Sequence, residues 1–131
     1  MTETAVFVDA ENVRRSQWPN ISAAELVERC RTWARAEGVH AVVVFDGRAP
    51  AAETDPYLEV VGTGAESADE WISRVAADAR AAGRRFRLVT SDRALRADAG
   101  RGAERVIGGG SFLGMLSTAI SSSQIRRKSN A

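Results

Sequence analysis

The chain of 131 residues contains one cysteine, one histidine and one tyrosine, and Lys128 is the only lysine among its 18 basic residues. A single Cys30 excludes an intramolecular disulfide and a cysteine-built zinc site, which suits a reducing compartment. His40 is the only histidine and sits at the start of an apolar run, so no Ser-His-Asp arrangement is available and we read the ring as structural. No apolar stretch approaches the length that spans a bilayer, and Met1 leads into the first strand with neither a basic n-region nor an apolar h-region. The expectation is a cytoplasmic protein with no membrane partner. Acidic and basic residues nearly cancel at a net charge of +1, so net charge says little about partners. The arginine bias suits bidentate contact with phosphate or carboxylate, and it is equally the mark of a GC-rich genome.

What is present is organised around Val6-Phe7-Val8-Asp9-Ala10-Glu11-Asn12, where an apolar run stops at a carboxylate and then an amide. A short β-branched and aromatic run closed by polar residues reads as a strand buried on both faces of a parallel sheet. His40 to Phe45 followed by Asp46-Gly47, and Phe86 to Thr90 followed by Ser91-Asp92, repeat the pattern. Tyr57 to Val61 and Glu104 to Ile107 read as shorter strands. Between them, Ser22-Ala23-Ala24-Glu25 and Ser67-Ala68-Asp69-Glu70 are capping boxes for helices running to about Glu37 and to the Gly83 turn. Residues 93–99 predict a short helix and Ser111 to Ile120 a final one, with Gly108-Gly109-Gly110 as the joint. Residues 13–21 read as a polar connection. We therefore expect an α/β fold, a three-layer α/β/α sandwich with a mainly parallel sheet of about five strands. Its domain is 1–120, and residues 121–131, Ser-rich and then basic, are expected as a flexible tail, disordered or weakly helical. The order in which the strands pair is not readable.

If Asp9, Asp46 and Asp92 end parallel strands, they share the carboxyl edge of the sheet, where open α/β folds bind ligands, and Asp69 in the first turn of a crossover helix joins them. Each has an ordinary explanation alone, as a turn former, a helix cap or a partner of a helix dipole. Together they are costly, because two like charges about 4 Å apart repel by about 4 kcal/mol at an effective dielectric of about 20. Either a shared proton, an arginine, or a hard divalent cation such as Mg2+ or Mn2+ must offset this. With such an ion, water can attack a phosphodiester without a nucleophilic side chain.

Val8-Asp9-Ala10-Glu11-Asn12, Phe45-Asp46-Gly47, Glu66-Ser67-Ala68-Asp69 and Val89-Thr90-Ser91-Asp92 fall in the order and rough spacing of the NYN domain, a branch of the PIN-like nucleases, and the sequence resembles its YacP-like members most. The resemblance spans residues 4 to about 116. It implies a PIN-like fold and a metal-dependent endoribonuclease that leaves 5′-phosphate and 3′-hydroxyl ends. It maps Asp9, Asp69 and Asp92 onto metal ligands, Asn12 and Ser91 onto polar orienting groups, and Asp46 onto an accessory carboxylate. Ala10-Glu11 departs from the glycine and tyrosine that many such members carry there, which leaves the role of Glu11 open, and Glu66 is open too. A homodimer is a further implication of the resemblance alone.

The expected partner is RNA in single-stranded or loop regions, with ribosome-associated RNA among its settings. Phosphates are held by cationic side chains, so Arg14, Arg15, Arg48, Arg93 and Arg96, on loops or helix starts near the acidic edge, are the contact candidates against a reading as solvated surface. Trp18 is read as a stacking residue or, more commonly for its type, a core or loop anchor. Trp33 and Trp71 fall on apolar helix faces. The rival reading is a catalytically silent RNA- or ribosome-binding module. A haloacid-dehalogenase-type phosphatase would want a second aspartate two positions after Asp9, where Glu11 stands, and a receiver domain would want a lysine after its last strand.

Overall fold

The computed structural model describes residues 4–129, with side chains as far as Ala119. In chain order the elements are β1 (Ala5–Asp9), α1 (Ala10–Arg15), α2 (Ala23–Glu37), β2 (His40–Phe45), β3 (Leu58–Gly62), α3 (Ala68–Ala81), β4 (Phe86–Val89), α4 (Arg93–Ala99), β5 (Arg105–Ile107) and α5 (Gly109–Ser129). The five strands form one sheet in the order β3-β2-β1-β4-β5, and every neighbouring pair is parallel. The expected three-layer α/β architecture is therefore the one observed, and the pairing order places β1 at its centre.

Alternation along the strands divides the core into two layers. Val6, Val8, Ala41, Val43, Phe45, Val89 and Ile107 pack under α1, α2 and α5, where Trp33 meets Phe112 edge-on at 4.9 Å between ring centroids. Phe7, Val42, Val44, Phe86 and Leu88 face α3 and α4, with Phe7 between Trp71 and Phe86. Cys30 is a buried free thiol in the first layer. The capping serines behave as their spacing predicts: Ser22 Oγ accepts from Glu25 N and Ser67 Oγ from Glu70 N, each at 3.1 Å. Gly38 closes α2 at φ 71°, a left-handed conformation that an L side chain resists.

Three local expectations change. Residues 10–15 form the helix α1, so the connection expected directly after Asn12 starts only after Arg15, because the turn begins at Asp9. Gly109 and Gly110 belong to the first turn of α5 and are not a joint. That helix runs on past Ile120 to Ser129, so helical backbone continues through most of the segment expected as a tail. The side chains of Arg126, Arg127 and Lys128 lie outside the described residues.

Candidate active site

The chain builds β1, β2 and β3 toward one side of the sheet and then returns to place β4 on the other side of β1. The order reverses between β1 and β4, and the crevice outside the carboxyl ends at such a reversal is where open α/β sheets hold ligands. Asp9 is the last residue of β1, and Thr90-Ser91-Asp92 directly follow β4. Asp9 is only 6% exposed, and its Oδ2 accepts a hydrogen bond from Thr90 Oγ1 at 2.9 Å. Burial pushes its carboxyl up to about 6; the Thr90 hydrogen bond opposes this, and the charges of Asp69 and Asp46 add to it. Asp69 is also raised, first by partial burial and then by Asp92, Asp46 and Glu70. Four aspartates that are far apart in sequence thus feel one another at one rim.

Two of them also have structural duties. Asp92 caps α4, its Oδ1 accepting from Leu95 N at 3.0 Å, while its own N–H donates to Thr90 Oγ1 at 3.1 Å. Asp46 Oδ1 accepts from Ala68 N at 2.8 Å, so it ties the end of β2 to the start of α3. Among the described residues none of Asp9, Asp46, Asp69 and Asp92 forms an ion pair. Their acidic neighbours in sequence differ: Glu11 is held by Arg14 at 2.8 Å and Glu66 by Arg74 at 2.9 Å. Guanidinium neutralises those two carboxylates, whereas among the described residues none pairs with the four aspartates of the rim.

A second network fixes the loop after β4. Asn12 Oδ1 accepts from Ser91 N at 2.8 Å, and Ser91 Oγ accepts from Gly109 N at 2.9 Å, which links the start of α1 to the start of α5. Gly109 has to be glycine-like here, since a Cβ would stand 2.9 Å from Asn12 Oδ1.

The YacP-like NYN domain family matches residues 6–129. The chain belongs to that family. Among solved structures, Rae1 (YacP) from Bacillus subtilis, in a tryptophan-to-leucine mutant form, is 26% identical with a TM-score of 0.74, covering 97% of this chain and 84% of that one. A second crystal structure of Rae1 (YacP) from Bacillus subtilis, at 22% identity and a TM-score of 0.75, covers 95% of this chain and 80% of that one and shares the fold. No curated protein sequence matches. Family and fold together support a nuclease-like, RNA-related module.

Within this NYN domain the candidate arginines separate into two groups. Arg14 is committed locally, with Nε donating to Ile21 O at 2.8 Å and Nη1 donating to both carboxylate oxygens of Glu11. Arg15, Arg48, Arg93 and Arg96 are exposed and form no ion pair among the described residues. His40 touches Pro56 O and Glu59 at the start of β2, away from the rim.

Thr90 is the residue that sequence reasoning overlooked. It is fully buried and joins Asp9 to the Asp92 backbone through one hydroxyl. The available signal was a hydroxyl at the end of an otherwise apolar strand.

The donor set at the rim is entirely carboxylate oxygen, the chemistry that suits Mg2+ or Mn2+. Among the described residues no group of three or more His, Cys, Asp or Glu side chains is close enough to enclose an ion. A hydrated cation held by one or two carboxylates, with water filling its other positions, fits such an open rim better than a closed cage does.

Proposed function

We propose that this NYN domain is a metal-dependent endoribonuclease that hydrolyses phosphodiester bonds in single-stranded or loop regions of RNA, leaving 5′-phosphate and 3′-hydroxyl ends. The observation that carries the reading is the set of four aspartates at the carboxyl edge of the sheet that raise one another's pKa values or add to that rim's charge, with no arginine paired to any of them among the described residues. Asp9, Asp69 and Asp92 would hold Mg2+ or Mn2+, one or two of them directly and the rest through its bound waters. Such an ion, when bound, supplies polarisation of a phosphoryl oxygen and acidifies a water near neutral pH.

The chain's own groups set the stage for that chemistry. Thr90 holds Oδ2 of Asp9 in place, and the Asn12 backbone also hydrogen-bonds to this carboxylate. Asp46 anchors α3, and with it Asp69, against the end of β2. Asn12 and Ser91 keep the post-β4 loop, and so Asp92, at a constant distance from β1. On this reading the exposed Arg15, Arg48, Arg93 and Arg96 engage RNA phosphates, while Arg14, bonded to Ile21 O and Glu11, shapes the loop that carries its neighbours. The setting is the cytoplasm, and the RNA includes ribosome-associated RNA.

One observation favours a second reading, that of a catalytically silent RNA- or ribosome-binding module: the carboxylates are not drawn together around one point. The experiment that separates the two is cleavage of a labelled structured RNA by purified protein with Mn2+. Wild type should cut, and Asp9→Asn, Asp69→Asn and Asp92→Asn should not. Equal cutting by all four proteins would reveal a contaminant and end the proposal. RNA binding without cutting under every divalent ion would favour the silent module.

A further inference from the structure

The connection between α1 and α2 is pinned at both ends and holds an indole out in solvent between them. At one end Ser16 closes α1, its N–H and its hydroxyl both donating to Val13 O at 3.2 and 2.6 Å. At the other, Ile21 is buried in the core and its carbonyl accepts from Arg14 Nε at 2.8 Å. Between these anchors Trp18 is 87% exposed, the large hydrophobic side chain left in water among the described residues. A tryptophan usually buries its ring, and a loop anchored this firmly had the means to do so. The reading of Trp18 as a core or anchoring residue is thereby overturned.

The topology says which end of the molecule the ring occupies. Chain leaves β1 at the carboxyl edge, and α2 must run back to the opposite edge, because it ends at Glu37 just before β2 begins parallel to β1. The start of α2, and residues 16–22 before it, therefore lie on the edge that carries Asp9 and Asp92. Arg15, exposed and without an ion pair among the described residues, comes three positions earlier. An acidic rim repels phosphates, so a nucleic acid docking there gains from attraction that does not depend on charge as well as from nearby cations. Stacking of an unpaired base on an aromatic face supplies it, with an arginine beside it for the phosphate.

We propose that Trp18 is a stacking platform for an unpaired RNA base beside the acidic rim, a role that rests on the RNA reading above. Bases within a duplex are already stacked and offer no free face, so this platform selects single-stranded or looped RNA.

The test uses the full chain in EDTA, so that binding is read without cleavage. Trp33 is buried and Trp71 half-buried, which leaves Trp18 to dominate solvent-exposed tryptophan emission. A single-stranded RNA oligomer should quench that emission, and a blunt duplex should quench it far less. Trp18→Ala should abolish the quench and weaken binding about tenfold, at an unchanged salt slope, because no phosphate contact is lost. Trp18→Tyr should restore most of the affinity. An oligomer with abasic positions should bind wild type and Trp18→Ala alike. Wild type that binds RNA without quenching, with Trp18→Ala binding equally well, would overturn the assignment and point to a protein partner for the ring. The same loss on abasic RNA would also overturn it. If wild type binds no RNA at all, the reading beneath it falls too.

Discussion

Replacing Asp9 by asparagine keeps the size and shape of the side chain and removes its charge, so it measures what an ionised carboxylate costs at this position. The folded carboxyl titrates at about 6 against an ordinary 3.8, a difference of about 2 pH units. Each unit corresponds to about 1.4 kcal/mol, so ionised Asp9 costs about 3 kcal/mol of folding stability. The folded protein binds this proton more tightly than the unfolded chain does. Stability from this group is therefore full below about pH 4, falls as pH rises toward 6, and stays lowered above that. Asp9→Asn removes the cost at neutral pH. Because an amide oxygen is a weaker acceptor for Thr90 Oγ1 than a carboxylate, we expect a net gain of about 2 kcal/mol at pH 7.5 and none near pH 3.5. For a chain of this length that is a rise in Tm of roughly 6–8 °C. Urea and thermal unfolding followed by circular dichroism in EDTA at the two pH values provide the measurement. A variant less stable than wild type at pH 7.5, or a difference that does not change with pH, would refute the reasoning.

Two other substitutions probe the scaffold around the rim. Thr90→Val should cost about 1–3 kcal/mol in urea unfolding, since it strips a donor from buried Asp9 and an acceptor from the Asp92 N–H, and it should abolish cleavage; Thr90→Ser should recover both. A Thr90→Val enzyme with wild-type turnover would remove Thr90 from the site. Gly109→Ala should destabilise by about 1–2 kcal/mol and impair cleavage, because its methyl would crowd Asn12 and displace it from Ser91. Gly110→Ala, whose Cβ meets nothing within 4 Å, should be neutral or slightly stabilising, and equal behaviour of the two alanine variants would show that helix propensity alone governs them.

Local chemistry read well wherever a signal was self-contained. Each capping serine accepts the backbone N–H three residues on, and Gly38 ends its helix in the left-handed conformation, because both effects act within a single turn. Residues 10–15 escaped notice as a helix because six residues are too few to display a 3.6-residue period. Trp18 ran against the usual preference of its residue type, and no local pattern distinguishes an anchored tryptophan from an exposed one.

The alternation of apolar strands and capped helices was enough by itself to dictate a parallel sheet with helices on both faces, and three strands ending in aspartate marked its carboxyl edge as the place to look. Which strands are neighbours was decided only in three dimensions, since parallel pairing joins segments across long crossovers and no side-chain period records it. The same long-range packing put Thr90 against Asp9 across 81 residues of chain, gave guanidinium to Glu11 and Glu66 and, among the described residues, to none of the four aspartates, and turned one indole outward. Burial and charge are properties of the assembled surroundings, so they become legible only once the chain has folded around them.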